Sequence, residues 1–348
     1  MSDEAPKSEE VLFEKRGVAG IITLNRPKAL NALTLGMVRL IHPQLDAWEK
    51  DDSIQLVIIE GAGEKGFCAG GDIRALHDWG RAKDRTALDF WKEEYLLNIA
   101  IKRFPKPYVA LMDGVNMGGG VGLSVHGSMR IATERLTFAM PETGIGLFPD
   151  VGGTYFLPRC PGETGLYLGL TGARLKAADV IYAGIADTYV PSASLETLKD
   201  RLCGGTNLRE ALQEVEADTE TAPLADLHEA IDRHFVAPSV TEIVASLRNA
   251  GDEWAVKTAD TIEGKSPLST LVACRQIREG RDLDFEAAMA LEYRLTQSFF
   301  AGHDFYEGVR ATILDKDGAP QWKPATLADV TPDEIETYFS GDGKEALL

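Results

Sequence analysis

Two carboxylates, Glu142 and Asp150, stand eight positions apart in the apolar, glycine-rich stretch AMPETGIGLFPDVGGTYFLPR (139–159), and each follows a proline. An unpaired charge among Met, Ile, Leu and Phe is costly to bury. The pattern therefore has two readings: acids on surface loops, or a dry pocket that holds two carboxyls of altered acidity. In the second, the apolar surroundings raise the pKa of at least one carboxyl, and the two divide proton work between them.

Three glycine-rich segments bear on the same question. In NMGGGVGLSVHG (116–127) the triplet Gly118-Gly119-Gly120 opens an apolar periodic segment. Glycines there leave N–H groups uncovered at a helix start, where they attract negative charge; close packing of a helix on a sheet would also demand small residues. FCAGGDI (67–73) again exposes backbone, at Ala69-Gly70-Gly71, before a helix that starts near Asp72. Two such loops can aim two N–H groups at one point and form an oxyanion hole, worth a few kcal/mol per donor. Asp72 itself reads as a helix N-cap. GAGEKG (61–66) fits the spacing of a dinucleotide fingerprint, but no helix opens within it, so a glycine-eased turn is the better reading. GLSVH around Ser124 misses the nucleophile-elbow spacing by one residue; Ser124 reads as a packed helix residue and His126 as a core or surface histidine.

These residues need a scaffold. VAGIITLN (18–25), IQLVIIEG (54–61), PYVALMDG (107–114), MRIATE (129–134) and LTFAM (136–140) read as strands. Residues 34–51 and 84–103 carry apolar side chains at helical spacing, and strands separated by helices predict an α/β core. Beyond about residue 195 the texture turns helical, most clearly at 283–300, and near the end Thr331 and Pro332 read as N-cap and first helical position. The coarse map is a core over 1–195 and a helical region over 196–348.

Composition narrows the chemistry. The net charge of −18 opposes nonspecific binding to nucleic acid. Cys68, Cys160, Cys203 and Cys274 are scattered without metal or redox spacing, as are the six histidines, so no metal is predicted. No run approaches the roughly 18 apolar residues of a membrane span. The acidic start MSDEAPKSEE lacks an apolar or arginine-rich leader pattern, and the expectation is a cytoplasmic protein.

Four ordered segments, LNRPKALNAL (24–33), GFCAGGDI (66–73), NMGGGVGL (116–123) and FAMPETGIGLFPDVGGTYFLPR (138–159), resemble the enoyl-CoA hydratase/isomerase, or crotonase, family. The resemblance implies a spiral of ββα turns with a helical C-terminal region. It also implies an acyl-CoA thioester substrate and an oxyanion hole whose N–H groups fall on Gly71 and Gly119. Hydratases of the family carry a glutamate three residues past that second glycine, where this chain has Gly122. The partner glutamate is retained as Glu142, and Asp150 is a second acid in a different place. With KEEYLLN (92–98) and the tail DFYEGVRATILDKDGAPQWKPATL (304–327), these departures resemble the family's hydrolases of 3-hydroxyacyl-CoA thioesters. By that resemblance Glu142 and Asp150 are catalytic, Glu94 contacts substrate, and the turn with Lys28 and Ala29 lies along the CoA. Read locally, Glu94 is a solvated charge on a helix face and Lys28 an exposed lysine. No metal or redox cofactor is implied, CoA being part of the substrate, and family members often self-associate. A hydratase or isomerase using Glu142 alone, and a noncatalytic acyl-CoA-binding protein, are the competing readings.

Overall fold

The structure, a computed structural model, describes residues 10–348. The acidic N-terminal segment read above for a leader lies, up to residue 9, outside the described residues. Among the described residues nine strands form: β1 (Val11–Arg16), β2 (Ala19–Leu24), β3 (Leu56–Gly61), β4 (Gly66–Cys68), β5 (Tyr108–Met112), β6 (Val115–Met117), β7 (Met129–Ala132), β8 (Thr137–Ala139) and β9 (Thr188–Tyr189). β1 and β2 are an antiparallel hairpin closed at Gly17, whose φ of +57° suits the tight turn. The remaining pairs of the six-stranded sheet, ordered β1-β2-β3-β5-β7-β9, are parallel. Parallel strands are covered on both faces and so read as unbroken apolar runs; every residue of YVALM in β5 is buried. A second sheet has the order β4-β6-β8. The parallel sheet with helices between its strands is the α/β core that the sequence predicts.

The strands read from sequence all form, and so do the two helices of the first half, as Leu35–Glu49 and Thr86–Arg103. β1, β4, β6 and β9 are additions. β6 lies between the PYVALMDG strand and the glycine triplet. Gly114, at φ +88°, turns the chain between β5 and β6, where a Cβ would sit 2.6 Å from the Gly66 nitrogen. β4 and β6 are each three residues set among glycines, which read as turns.

The chain divides into two compact units, each assembled from three segments. The first comprises Met1–Asp72, Glu93–Phe138 and Arg174–Ala225. Its core holds alternate side chains of β2, β3, β5 and β7, namely Ile21, Ile58, Val109, Leu111 and Ile131, against Leu195, Leu198, Leu202 and Leu212. The second comprises Ile73–Lys92, Ala139–Ala173 and Asp226–Leu348. It is built largely of helices, including Pro267–Glu279 and Phe285–Ala301. Side-chain caps start several of them: Ser266 accepts from the Ser269 N–H, Asp284 from that of Ala287, and Thr331 from that of Glu334. Thr331 and Glu334 form the full capping box, with Pro332 at the first position as the sequence predicts.

Candidate active site

In the first unit, β4 and β6 run parallel, Gly66 opposite Val115 and Cys68 opposite Asn116. Each ends in a glycine loop. Residues 69–72 are held by the segment 30–33: Ala69 N–H donates to the Leu30 carbonyl (3.0 Å), Leu33 N–H to that of Gly70 (2.8 Å), and Asp72 N–H to that of Leu33 (2.8 Å). These bonds bracket Gly71 without using its N–H. Leu30 and Asn31 are both left-handed, at φ 50° and 57°, and asparagine tolerates that region because its amide bonds locally. Asn31 is fully buried, with Nδ2 donating to the carbonyls of Ala62 (3.0 Å) and Gly66 (2.8 Å) and Oδ1 accepting from Arg26 N–H (2.9 Å). The asparagine of LNRPKALNAL thus ties the GAGEKG turn to the strand it leads into.

Gly119 is the first residue of the helix Gly119–Ser124, so its N–H has no carbonyl four residues back. A Cβ placed there would lie 3.2 Å from the Gly71 nitrogen and 2.5 Å from Glu94 Oε1. The Gly71 nitrogen and the Glu94 carboxyl therefore both lie close beside the Gly119 backbone. The close-packing reading of the triplet holds at Gly120, where a Cβ would collide with the Cys68 carbonyl oxygen. Glu94 is 2% exposed, which corrects its reading as a solvated helix-face charge. Its helix also buries Phe90, Trp91, Tyr95, Leu97 and Asn98, and Glu94 lies on that buried side, whereas the neighbouring Glu93 pairs with Arg39 at the surface.

The second unit holds the carboxylates. Glu142 (4% exposed) and Asp150 (5%) are both buried, which removes the surface-loop reading. Glu142 opens a single 3₁₀ turn, Glu142–Ile145, closed by left-handed Gly146. Its Oε2 has no hydrogen-bond partner among the described residues. Burial, and next the neighbouring charge of Asp150, hold the Glu142 carboxyl well above the usual carboxylate range, while Lys265 pulls it down. Lys265 Nζ lies 3.2 Å from the point where a Cβ on Gly144 would sit. Ser266 N–H donates to the Thr143 carbonyl (3.2 Å) and seats this lysine's segment on the Glu142 turn. Burial lowers the pKa of the Lys265 ammonium and Glu142 opposes that.

Asp150 sits at the start of a sharp turn, Val151 at φ 49° and Gly152 at φ 90°. Glu292, fully buried, accepts from the N–H groups of Gly152 and Thr154, each at 2.8 Å. Burial pushes its carboxyl up to about 8, against the pull of those N–H bonds. Gln276, also fully buried, donates from Nε2 to the Pro149 carbonyl (2.6 Å) and to Thr154 Oγ1 (2.8 Å). Lys265, Gln276 and Glu292 are absent from the sequence reading. One signal for Glu292 was available: it lies on the helical stripe of Ala288, Met289, Leu295 and Thr296, all buried, where a carboxyl is out of place.

Other expected residues fall elsewhere. Lys28 and Ala29 lie on an exposed 3₁₀ turn of the first unit. Ser124 is buried, donating to the carbonyls of Gly120 (2.9 Å) and Val121 (3.2 Å) and accepting from Asn116 Nδ2 (2.8 Å); that is a packed helix residue. His126 is buried. GAGEKG leads into β4 rather than a helix, so it lacks the strand–turn–helix context of a dinucleotide site. All four cysteines are buried free thiols. Among the described residues no cluster of metal-ligating side chains forms, and no helix is long and apolar enough to cross a membrane.

Residues 19–339 match the model of a family described as enoyl-CoA hydratase/isomerase. The chain is 51% identical to 3-hydroxyisobutyryl-CoA hydrolase, mitochondrial, of Danio rerio, over 98% of this chain and 91% of that protein. It is 47% identical to the Homo sapiens protein of the same name, over 100% and 92%. Among solved structures it resembles a carnitinyl-CoA dehydratase from Mycobacterium thermoresistibile, with TM-score 0.93 and 42% identity over 97% of this chain and 98% of that one. A structure titled enoyl-CoA hydratase, from Rhodobacter sphaeroides, follows at TM-score 0.92 and 42% identity, over 97% and 99%. The mitochondrial names of the relatives overturn the cytoplasmic expectation. Net charge and composition report on solubility and partners and carry no compartment label.

Proposed function

The chain belongs to the enoyl-CoA hydratase/isomerase family, and from that premise we propose that it hydrolyses 3-hydroxyisobutyryl-CoA to 3-hydroxyisobutyrate and CoA. Related 3-hydroxyacyl-CoA thioesters are included, and valine degradation is the cellular setting. One observation carries the reading: Glu142 and Asp150 are buried together in one compact unit, while Gly122, buried in its helix, offers no carboxylate at the hydratases' second position. The names of the curated relatives support it.

In the reaction the thioester oxygen accepts from the N–H groups of Gly71 and Gly119, which then stabilise the oxyanion as it forms. Glu142 removes a proton from water as the water oxygen bonds to the acyl carbon. Collapse breaks the C–S bond, and CoA leaves as the thiolate and takes up the proton that Glu142 holds. Alternatively the Glu142 carboxylate attacks first, giving a mixed anhydride that water opens. A hydroxamate at Glu142 after a hydroxylamine quench identifies the second route. Either route needs Glu142 ionised, so its raised pKa makes kcat/KM climb with pH through that ionisation. Asp150 holds the substrate's 3-hydroxyl or the attacking water, Glu94 contacts substrate, and Lys28 and Ala29 lie along the CoA. A site that bonds the hydroxyl discriminates against unsubstituted acyl-CoA, which leaves the buried acceptor unpaired.

The test is thiol release from 3-hydroxyisobutyryl-CoA beside the double-bond absorbance of crotonyl-CoA. Thiol release with crotonyl-CoA unchanged is the expected result. Loss of the double bond without thiol would replace this reading with hydration or isomerisation by Glu142 alone, which the titles of the 42%-identical structures favour. No turnover of either compound, together with measurable acyl-CoA binding, would favour the noncatalytic reading.

A further inference from the structure

The turn that carries Asp150 is held in a conformation it would not adopt unaided. Val151 is β-branched, buried, and at φ 49°, a region that β-branched residues rarely enter. Such backbone persists only where its surroundings over-determine it. Here they do so from two helices. Glu292 on Phe285–Ala301 receives the N–H groups on both sides of Gly153, one on each carboxylate oxygen. Gln276 on Pro267–Glu279 caps the Pro149 carbonyl, one residue before Asp150, and bonds the Thr154 hydroxyl. Its amide orientation follows from chemistry, because a carbonyl oxygen accepts only. Neither side chain is needed for packing alone, since a leucine or methionine would fill either space without burying a polar group. Glu292 has N–H partners in place of a cation, an arrangement suited to holding backbone.

We propose that Glu292 and Gln276 are positioning residues: they clamp the Pro149–Thr154 turn in its left-handed geometry and so aim the Asp150 carboxyl. The inference rests on the reading of Asp150 as a catalytic-site acid. The helices that follow residue 195 then share in the chemistry by gripping the loop that bears it.

The experiment is a double-mutant cycle on the full chain, read by steady-state thiol release from 3-hydroxyisobutyryl-CoA and by amide hydrogen exchange. E292Q swaps one acceptor oxygen for an NH₂ group that faces a backbone N–H. We expect kcat to fall about a hundredfold, the scale of a small misplacement in an active site. KM should stay within about threefold if Asp150 holds the attacking water, and rise with the loss of kcat if it holds the substrate's 3-hydroxyl. In the V151G background the left-handed turn no longer needs holding, so E292Q should cost less than about tenfold. Exchange at the Gly152 and Thr154 amides should accelerate in E292Q alone, with the helices beyond residue 195 still protected. Wild-type kcat in a cooperatively melting E292Q overturns the clamp, as does an equal loss with and without V151G. Should E292Q fail to fold, Q276M tests the other jaw by the same cycle, and wild-type kcat there overturns the proposal as well. The exchange measurement needs no substrate. A wild-type protein that released no thiol would therefore sink the hydrolase reading, while the clamp would still stand or fall on the protection of those two amides.

Discussion

The two compact units prepare their chemistry by opposite means. In the first, the groups proposed to react are backbone: the N–H groups of Gly71 and Gly119, residues with no side chain of their own. In the second they are side chains: Glu142, whose acidity responds to Lys265, and Asp150, whose turn is bonded by Gln276 and Glu292, these three partners lying more than a hundred residues further along the chain. A backbone donor is specified by what is missing, so it is disabled by adding an atom. A buried carboxyl is specified by its surroundings, so it is disabled, or retuned, by changing a neighbour.

Substitutions that separate the two modes sharpen the contrast. The largest effect is expected of E142Q, which keeps the shape and removes the ionisable group: thiol release should fall by about a thousandfold or more, the scale of a lost general base or nucleophile, and a smaller loss would take Glu142 out of the chemistry. Next is G119A. Its added carbon would sit 3.2 Å from the Gly71 nitrogen, and kcat should drop about a hundredfold, as for removal of one oxyanion donor. The pH optimum should stay put, because the added carbon meets Glu94 and the Gly71 nitrogen and leaves the Glu142–Asp150 pair untouched. A shifted optimum in G119A would blur the line between the two regions.

A stability measurement comes third. Glu292 has its pKa near 8 in the fold against 4.5 as the ordinary value. Between those values the folded protein retains a proton that the unfolded chain has released, so stability falls as pH rises through the window and the slope ends above 8. Melting of wild type and E292Q from pH 5 to 8 should therefore diverge, the wild type losing up to a few kcal/mol relative to the variant. Parallel curves would show that Glu292 keeps the same charge throughout. The smallest effect is expected of K265M. The Lys265 cation favours the Glu142 carboxylate, so its removal should move the acid limb of kcat/KM to higher pH and slow the reaction at pH 6 by less than about tenfold. An unmoved limb would leave Glu142 tuned by burial and Asp150 alone.

Legibility followed the same division. Glycine motifs announce uncovered backbone, so FCAGG and the triplet at 118–120 pointed to paired donors before any coordinate, and Glu142 and Asp150 stood out as acids in apolar text. Most of the sheet's strands and the amphipathic helices were equally visible, β1 and β9 excepted. β4 and β6, which present the two glycine loops, were not, since each is three residues set among glycines that read as turns. Glu94 was misread locally, because what packs on a helix decides which of its charges meets solvent, and Glu94 lies on the buried side. The compartment was misread as well, composition carrying no address.

The sequence by itself determined the strand and helix pattern, the acids, the glycines and the family, all properties of residues near one another along the chain or of ordered motifs. Only the tertiary structure decided that the Gly119 position borders the Gly71 nitrogen and Glu94 Oε1, that Glu142 is pushed up by Asp150 and eased by Lys265, and that Glu292 and Gln276 grip the Asp150 turn. Electrostatic interactions and hydrogen bonds depend on distance through space and on exclusion of water, and neither quantity is written in the spacing of residues along a chain.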